Sequence, residues 1–86
     1  MTNTPVYKSD IVQLLQEADA IDTPDENTVY LGFCAPGTTG TDAAKWSICK
    51  LTTIGNVTLR QWANGSNLPR LIFDNRASYS YTFKNF

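Results

Sequence analysis

Two thiols, Cys34 and Cys49, are the strongest nucleophiles of an 86-residue chain that contains no histidine. Without an imidazole, Ser-His-Asp and Cys-His relays cannot be assembled, and the commonest metal ligand is missing. Zinc needs about four ligands, and these cysteines supply two thiolates without Cys-x-x-Cys spacing. Both are therefore expected to be free, packed as small apolar side chains. A disulfide between them would close a loop of about 15 residues and contribute roughly 3 kcal/mol. The polar start Met1-Thr2-Asn3-Thr4-Pro5 lacks a secretory leader pattern, which places synthesis in a reducing cytoplasm where thiols persist.

The carboxylates give no clearer reaction. Asp10, Glu17, Asp19, Asp22, Asp25 and Glu26 crowd the first third of the chain. A hydrolytic pair must flank a cleft with one acid buried, whereas acids on a helix and a polar linker form a solvated face. Asp74 and Arg76 lie between two expected strands. That placement suggests a turn in which Asp74 or Asn75 bonds nearby amides while Arg76 pairs locally or meets a neighbouring subunit. Gly32, Gly37 and Gly40 resemble a phosphate cradle only loosely, since neither the P-loop ending nor the dinucleotide spacing is present. No catalytic, cofactor-binding or metal-binding residue is assigned, and the chain is read as non-enzymatic.

Composition narrows the partners. A formal net charge of −1, with scattered Lys and Arg, offers no electrostatic footprint for nucleic acid or anionic lipid. No apolar run approaches the ~18 residues needed to cross a bilayer as a helix. Charged residues make up 17% of the chain, below the usual quarter or so, and such a surface suits contact with other protein. A chain this short buries only about 60–65% of its unfolded surface, so its core is thin and partners help to stabilise it.

These residues need elements to place them. Ser9 suits a helix cap, and Ile11, Leu14, Leu15 and Ala18 follow at i, i+3, i+4 and i+7, which predicts a short amphipathic helix over residues 9–20. Residues 22–27 contain Pro24 and three acids and are expected to be an acidic linker. The expected division is an N-terminal arm over residues 1–27 and a β-rich domain over residues 28–86. Within the latter, Thr28 to Cys34 is a strand, and a Gly- and Thr-rich loop over residues 35–42 follows. A strand from near Lys45 to Ile54 turns at Gly55-Asn56 into a partner running from Val57 to Trp62. Asn64-Gly65 makes another turn, residues 70–74 a fourth strand, and residues 77–83 a fifth with Tyr79, Tyr81 and Phe83 on one face. The expected fold is mainly β: a small antiparallel meander, sandwich or barrel-like domain of about five strands after a short helix.

The motifs within these strands form an ordered set: Tyr30 and Gly32, Ala35-Pro36-Gly37, Trp46 with Ile48, Trp62-Ala63-Asn64-Gly65, then Asp74-Asn75-Arg76-Ala77-Ser78 leading to Tyr81. In this set the chain resembles a family of small structural proteins of tailed bacteriophage virions, over about residues 28 to 81. The resemblance implies no catalytic role and no cofactor. It implies a protein associated with the phage particle. With it, the chain is expected to be synthesised in the host cytoplasm and carried on the virion in multiple copies, its shortness favouring a capsid decoration or cement subunit bound to the major capsid protein. A tail or baseplate accessory role, or a carbohydrate- or receptor-binding module at the tail tip, is the alternative. Two departures stand out: the N-terminal section is an addition, and Phe73 occupies a position where the family often has tryptophan. Ile11, Leu14 and Leu15 are expected to dock on another virion protein. Trp46, Trp62, Arg76, Tyr79 and Tyr81 are expected in the core or at an interface, with the 74–81 run acting as a structural corner.

Overall fold

A computed structural model describes residues 17–85 of the chain. Its organising element is β3 (Ala44–Ile54), an eleven-residue strand whose side chains are buried on both faces along Trp46 to Cys49. On one flank β3 pairs antiparallel with β2 (Thr28–Cys34), in a register that sets Gly32 opposite Ile48 and Leu31 opposite Cys49. Its other flank is shared end to end. The distal half pairs with β4 (Val57–Ala63) through Gly55-Asn56, and the proximal end pairs with β5 (Leu71–Ile72). Gly55 stands first in that turn at φ 61°, the left-handed geometry a primed hairpin requires.

The described residues are mainly β, a single sheet of six antiparallel strands ordered β1-β2-β3-β4-β6, with β5 alongside β3. β1 (Ala20–Asp25) pairs with β2, and β6 (Tyr81–Thr82) pairs with the last two residues of β4. Between β5 and β6 a 3₁₀ helix (Phe73–Ser78) folds over the sheet.

Three expectations change. Residues 22–27 are not a linker: Ala20, Ile21 and Asp22 pair with Gly32, Leu31 and Tyr30, and a bulge follows before Asp25. Pro24 is tolerated because β1 is an edge strand, where its missing N–H breaks no ladder bond. Asp25 supplies the turn chemistry instead, accepting from the Asn27 amide at 2.8 Å. The sheet therefore crosses the expected boundary at residue 27. The helix expected over residues 9–20 lies mostly outside the described residues; Glu17 is helical, and Ala20 already belongs to β1. Finally, the expected fourth and fifth strands shrink to two residues each, because the 3₁₀ helix occupies the whole Asp74–Ser78 run.

Strand alternation splits the apolar side chains into two layers. The first face carries Trp46, Ile48, Ala63 and Phe73, with Ala20, Tyr30, Cys34, Leu71, Tyr79 and Tyr81 packed around them. The second carries Leu31, Cys49 and Leu51, bordered by Val29, Phe33, Trp62 and Ala18. Cys34 and Cys49 are free thiols on opposite faces, which is why proximity on adjacent strands does not bring them together to oxidise.

Candidate functional site

The motif residues Tyr30, Gly32, Trp46, Ile48, Ala63 and Tyr81 converge on the first face. Phe73 lies against Trp46 with ring centroids 5.3 Å apart, and the two rings rest on the bare backbone of Gly32. A Cβ there would stand 2.6 Å from Phe73 and 2.8 Å from Trp46. Glycine is thus required by contact with two aromatic rings. Trp46 Nε1 donates to the Gly40 carbonyl at 3.0 Å, fastening the Gly-Thr loop to the core. The adjacent Thr41 carbonyl accepts from the Asp74 amide at 3.1 Å, which joins that loop to the 3₁₀ helix.

Arg76 and the tyrosines lock the corner. Arg76 Nε donates to Asp22 Oδ2 at 2.8 Å, a second guanidinium nitrogen donates to the Phe73 carbonyl at 3.2 Å, and the guanidinium carbon sits 4.8 Å from the Phe73 ring centroid. The Tyr81 hydroxyl donates to the Arg76 carbonyl at 2.7 Å, while the Tyr79 hydroxyl accepts from the Ile72 amide at 3.0 Å. Tyr81 also packs near Tyr30, with Lys50 Nζ 5.2 Å from its ring. Burial raises the Tyr81 pKa first, and the neighbouring Tyr30 and Tyr79 add to this while Arg76 opposes it. The ion pair of Arg76 is not confined to its own turn. Its partner is Asp22, from the stretch expected to be linker.

Of the residues expected in the core or at an interface, Trp46 is buried at 5% exposure, and Tyr79, Tyr81 and Arg76 are half-buried in the same assembly. Trp62 projects from the second face and packs on Phe33 at 5.9 Å. An aromatic platform for sugars needs exposed rings, and Trp46 is not one. Phe83 leaves the expected Tyr79–Tyr81 face and is 60% exposed. Ile11, Leu14 and Leu15 lie outside the described residues.

What the surface offers lies at the other end of the sheet. Ile54 and Val57 face each other across the Gly55-Asn56 turn and are 63% and 56% exposed. Both point to the first face, beyond the aromatic cover, and half-buried Leu59 continues the apolar strip along β4. Beside them, β6 pairs only with Trp62 and Ala63, so among the described residues no strand covers the outer edge of β4 from Val57 to Gln61. The opposite edge is guarded: β1 carries Pro24, two acids and a bulge, the devices that blunt strand addition. β4 has neither proline nor an acid, and its one exposed charge, Arg60, lies on the second face. The signal for this site was present in two β-branched apolar residues flanking a two-residue turn, positions that a solitary hairpin exposes to water.

A cleft of about 150 Å³ lined by Asn64, Ser66, Leu68, Arg70 and Leu71 contains one ionisable side chain. Among the described residues, no three acids or thiols group as metal ligands, and no helix is long and apolar enough to cross a membrane. No protein-family model, curated protein or solved structure matches the chain.

Proposed function

We propose that this chain is a non-enzymatic structural protein of a tailed-bacteriophage virion, a capsid decoration or comparable accessory subunit held in multiple copies. The observation that carries the reading is the pairing of an apolar hairpin tip, Ile54 with Val57, with the open outer edge of β4. An exposed edge without proline adds a neighbour's strand through main-chain hydrogen bonds, and an adjacent apolar strip sets which neighbour fits. The motif set that resembles virion proteins supports the same reading. Its aromatic residues build the rigid corner behind this surface and leave the hairpin to make contact.

The occupant is a strand-bearing edge of the capsid protein or of a neighbouring accessory subunit. The test is particle incorporation. In phage particles produced with the wild-type chain, quantitative mass spectrometry should find it in multiple copies. Ile54→Lys together with Val57→Lys should keep the melting temperature of the isolated protein and abolish incorporation. Absence of the wild-type chain from purified particles, or normal incorporation of the double variant, overturns the proposal.

A further inference from the structure

The open stretch of β4 is complementary to itself. β6 stops opposite Trp62, so among the described residues the uncovered edge runs from Val57 to Gln61 and has Leu59 at its centre. The main-chain groups it presents follow from the ladders on either side. The Thr53 amide donates to the Asn27 carbonyl, toward β2, and residues of an antiparallel ladder alternate sides, so Lys50, Thr52 and Ile54 turn toward β4. Their partners Gln61, Leu59 and Val57 are thereby occupied, and Thr58 and Arg60 turn outward. The Asn64 amide agrees with this count, since it donates to the Ser80 carbonyl on the outer side.

We propose that this edge pairs antiparallel with the same edge of a second copy of the chain, about a two-fold axis at Leu59. Thr58 then faces Arg60 of the second copy on both sides of the axis, and each pair exchanges both of its N–H···O bonds. The neighbouring registers are worse. An axis at Arg60 sets two guanidiniums opposite each other and sends Thr58 to the place that β6 holds beside Trp62. An axis at Thr58 pairs Arg60 with Asn56, which belongs to the turn. With the axis at Leu59, that side chain meets its own copy at a non-hydrogen-bonded position, where side chains approach most closely, and Val57 extends the apolar contact on the first face. A formal net charge of −1 opposes the association little. The contact is isologous and closes as a dimer, and the Pro24-bearing edge of β1 ends the joined sheet on each side. This inference rests on the proposed reading of β4 as a contact edge and names its occupant.

The test is sedimentation of the full chain. Wild type should pass from monomer to dimer between about 1 μM and about 1 mM. A monomer throughout overturns the inference; incorporation into particles would then stand on another partner. A dimer in solution whose chain is missing from purified particles supports the inference and overturns the virion reading alone. Thr58→Pro deletes an outward N–H at a position that an edge strand tolerates, so it should abolish the dimer, and a dimer that persists overturns the pairing. Thr58→Glu sets a carboxylate opposite Arg60 on both sides of the axis and should tighten the dimer about three- to tenfold, while Thr58→Lys should loosen it by about as much. Weakening by Thr58→Glu overturns the axis at Leu59. Circular dichroism melts of the dilute monomers control for the lost contact between the Thr58 and Thr53 hydroxyls, 3.3 Å apart in the wild type.

Discussion

Arg76 reaches Asp22 across 54 residues of sequence, at 2.8 Å, and so ties the 3₁₀ corner to the edge strand of the sheet. The pair is about two-thirds shielded from solvent on each side. The same guanidinium covers the Phe73 ring and bonds the Phe73 carbonyl, so three contacts depend on one side chain.

Arg76→Ala should therefore destabilise the domain by about 1–2 kcal/mol, combining a partly screened ion pair with a lost hydrogen bond and ring contact. Asp22→Ala should cost about 0.5–1 kcal/mol, and the double variant less than the sum of the two. Asp74→Ala removes an exposed side chain and should stay within about 0.5 kcal/mol of wild type. Urea denaturation of the four proteins measures this. Equal effects for Arg76 and Asp74 would return the ion pair to the local turn.

Much of the sheet was legible because its signals are local. Period-two alternation from Trp46 to Ile54 and a turn with glycine first specify the β3–β4 hairpin without help from elsewhere. Residues 20–25 were not legible, because Pro24 and its acidic neighbours mark a turn in isolation and an edge strand only once β2 is there to pair with. The 73–78 corner was obscured in the same way: its strand-like aromatics are selected by the rings and carbonyls they meet across the fold. The candidate contact surface escaped notice for a different reason. The two β-branched residues beside the turn are visible in the sequence, but the exposure of Ile54 and Val57 also depends on how far the aromatic cover extends, which tertiary packing sets.

Gly32→Ala tests the close approach directly. The added methyl would stand within 2.8 Å of both Phe73 and Trp46, inside any real contact distance. The rings must shift, and such overpacking costs about 1–3 kcal/mol. Phe73→Leu makes room, so combined with Gly32→Ala it should recover part of that loss. Thermal melts of the single and double variants read the coupling; strict additivity would show that Gly32 is required for its backbone alone.

Thr52→Val should be neutral or stabilising, by up to about 1 kcal/mol. The Thr52 hydroxyl oxygen is sealed from solvent and has no hydrogen-bond partner among the described residues. Valine keeps the shape, suits a strand and removes an unsatisfied polar group. Because Thr52 lies opposite Leu59, near the Ile54–Val57 tip, the variant also separates stability from contact. A raised melting temperature with unchanged particle incorporation is the expected outcome, measured by calorimetry and mass spectrometry; a lowered one would mean that the hydroxyl has a partner.

Alkali should unfold this protein through Cys49. Burial pushes its thiol up from about 9 to about 12, partly offset by the Arg60 guanidinium. Between those values the unfolded chain has released the proton and the folded chain still holds it. Unfolding then releases a proton, so stability falls as pH rises, by about 1.4 kcal/mol per unit for one such group. Below about 9 both states are protonated and the contribution is fully present. Tyr81, also raised by burial, steepens the loss above its ordinary range. Cys49→Ala leaves a small cavity and lowers stability at pH 7, but it removes the thiol proton from the balance. Urea midpoints at pH 8 and pH 10.5 should therefore fall much less in Cys49→Ala than in wild type. Parallel declines in the two proteins would place the alkaline sensitivity elsewhere.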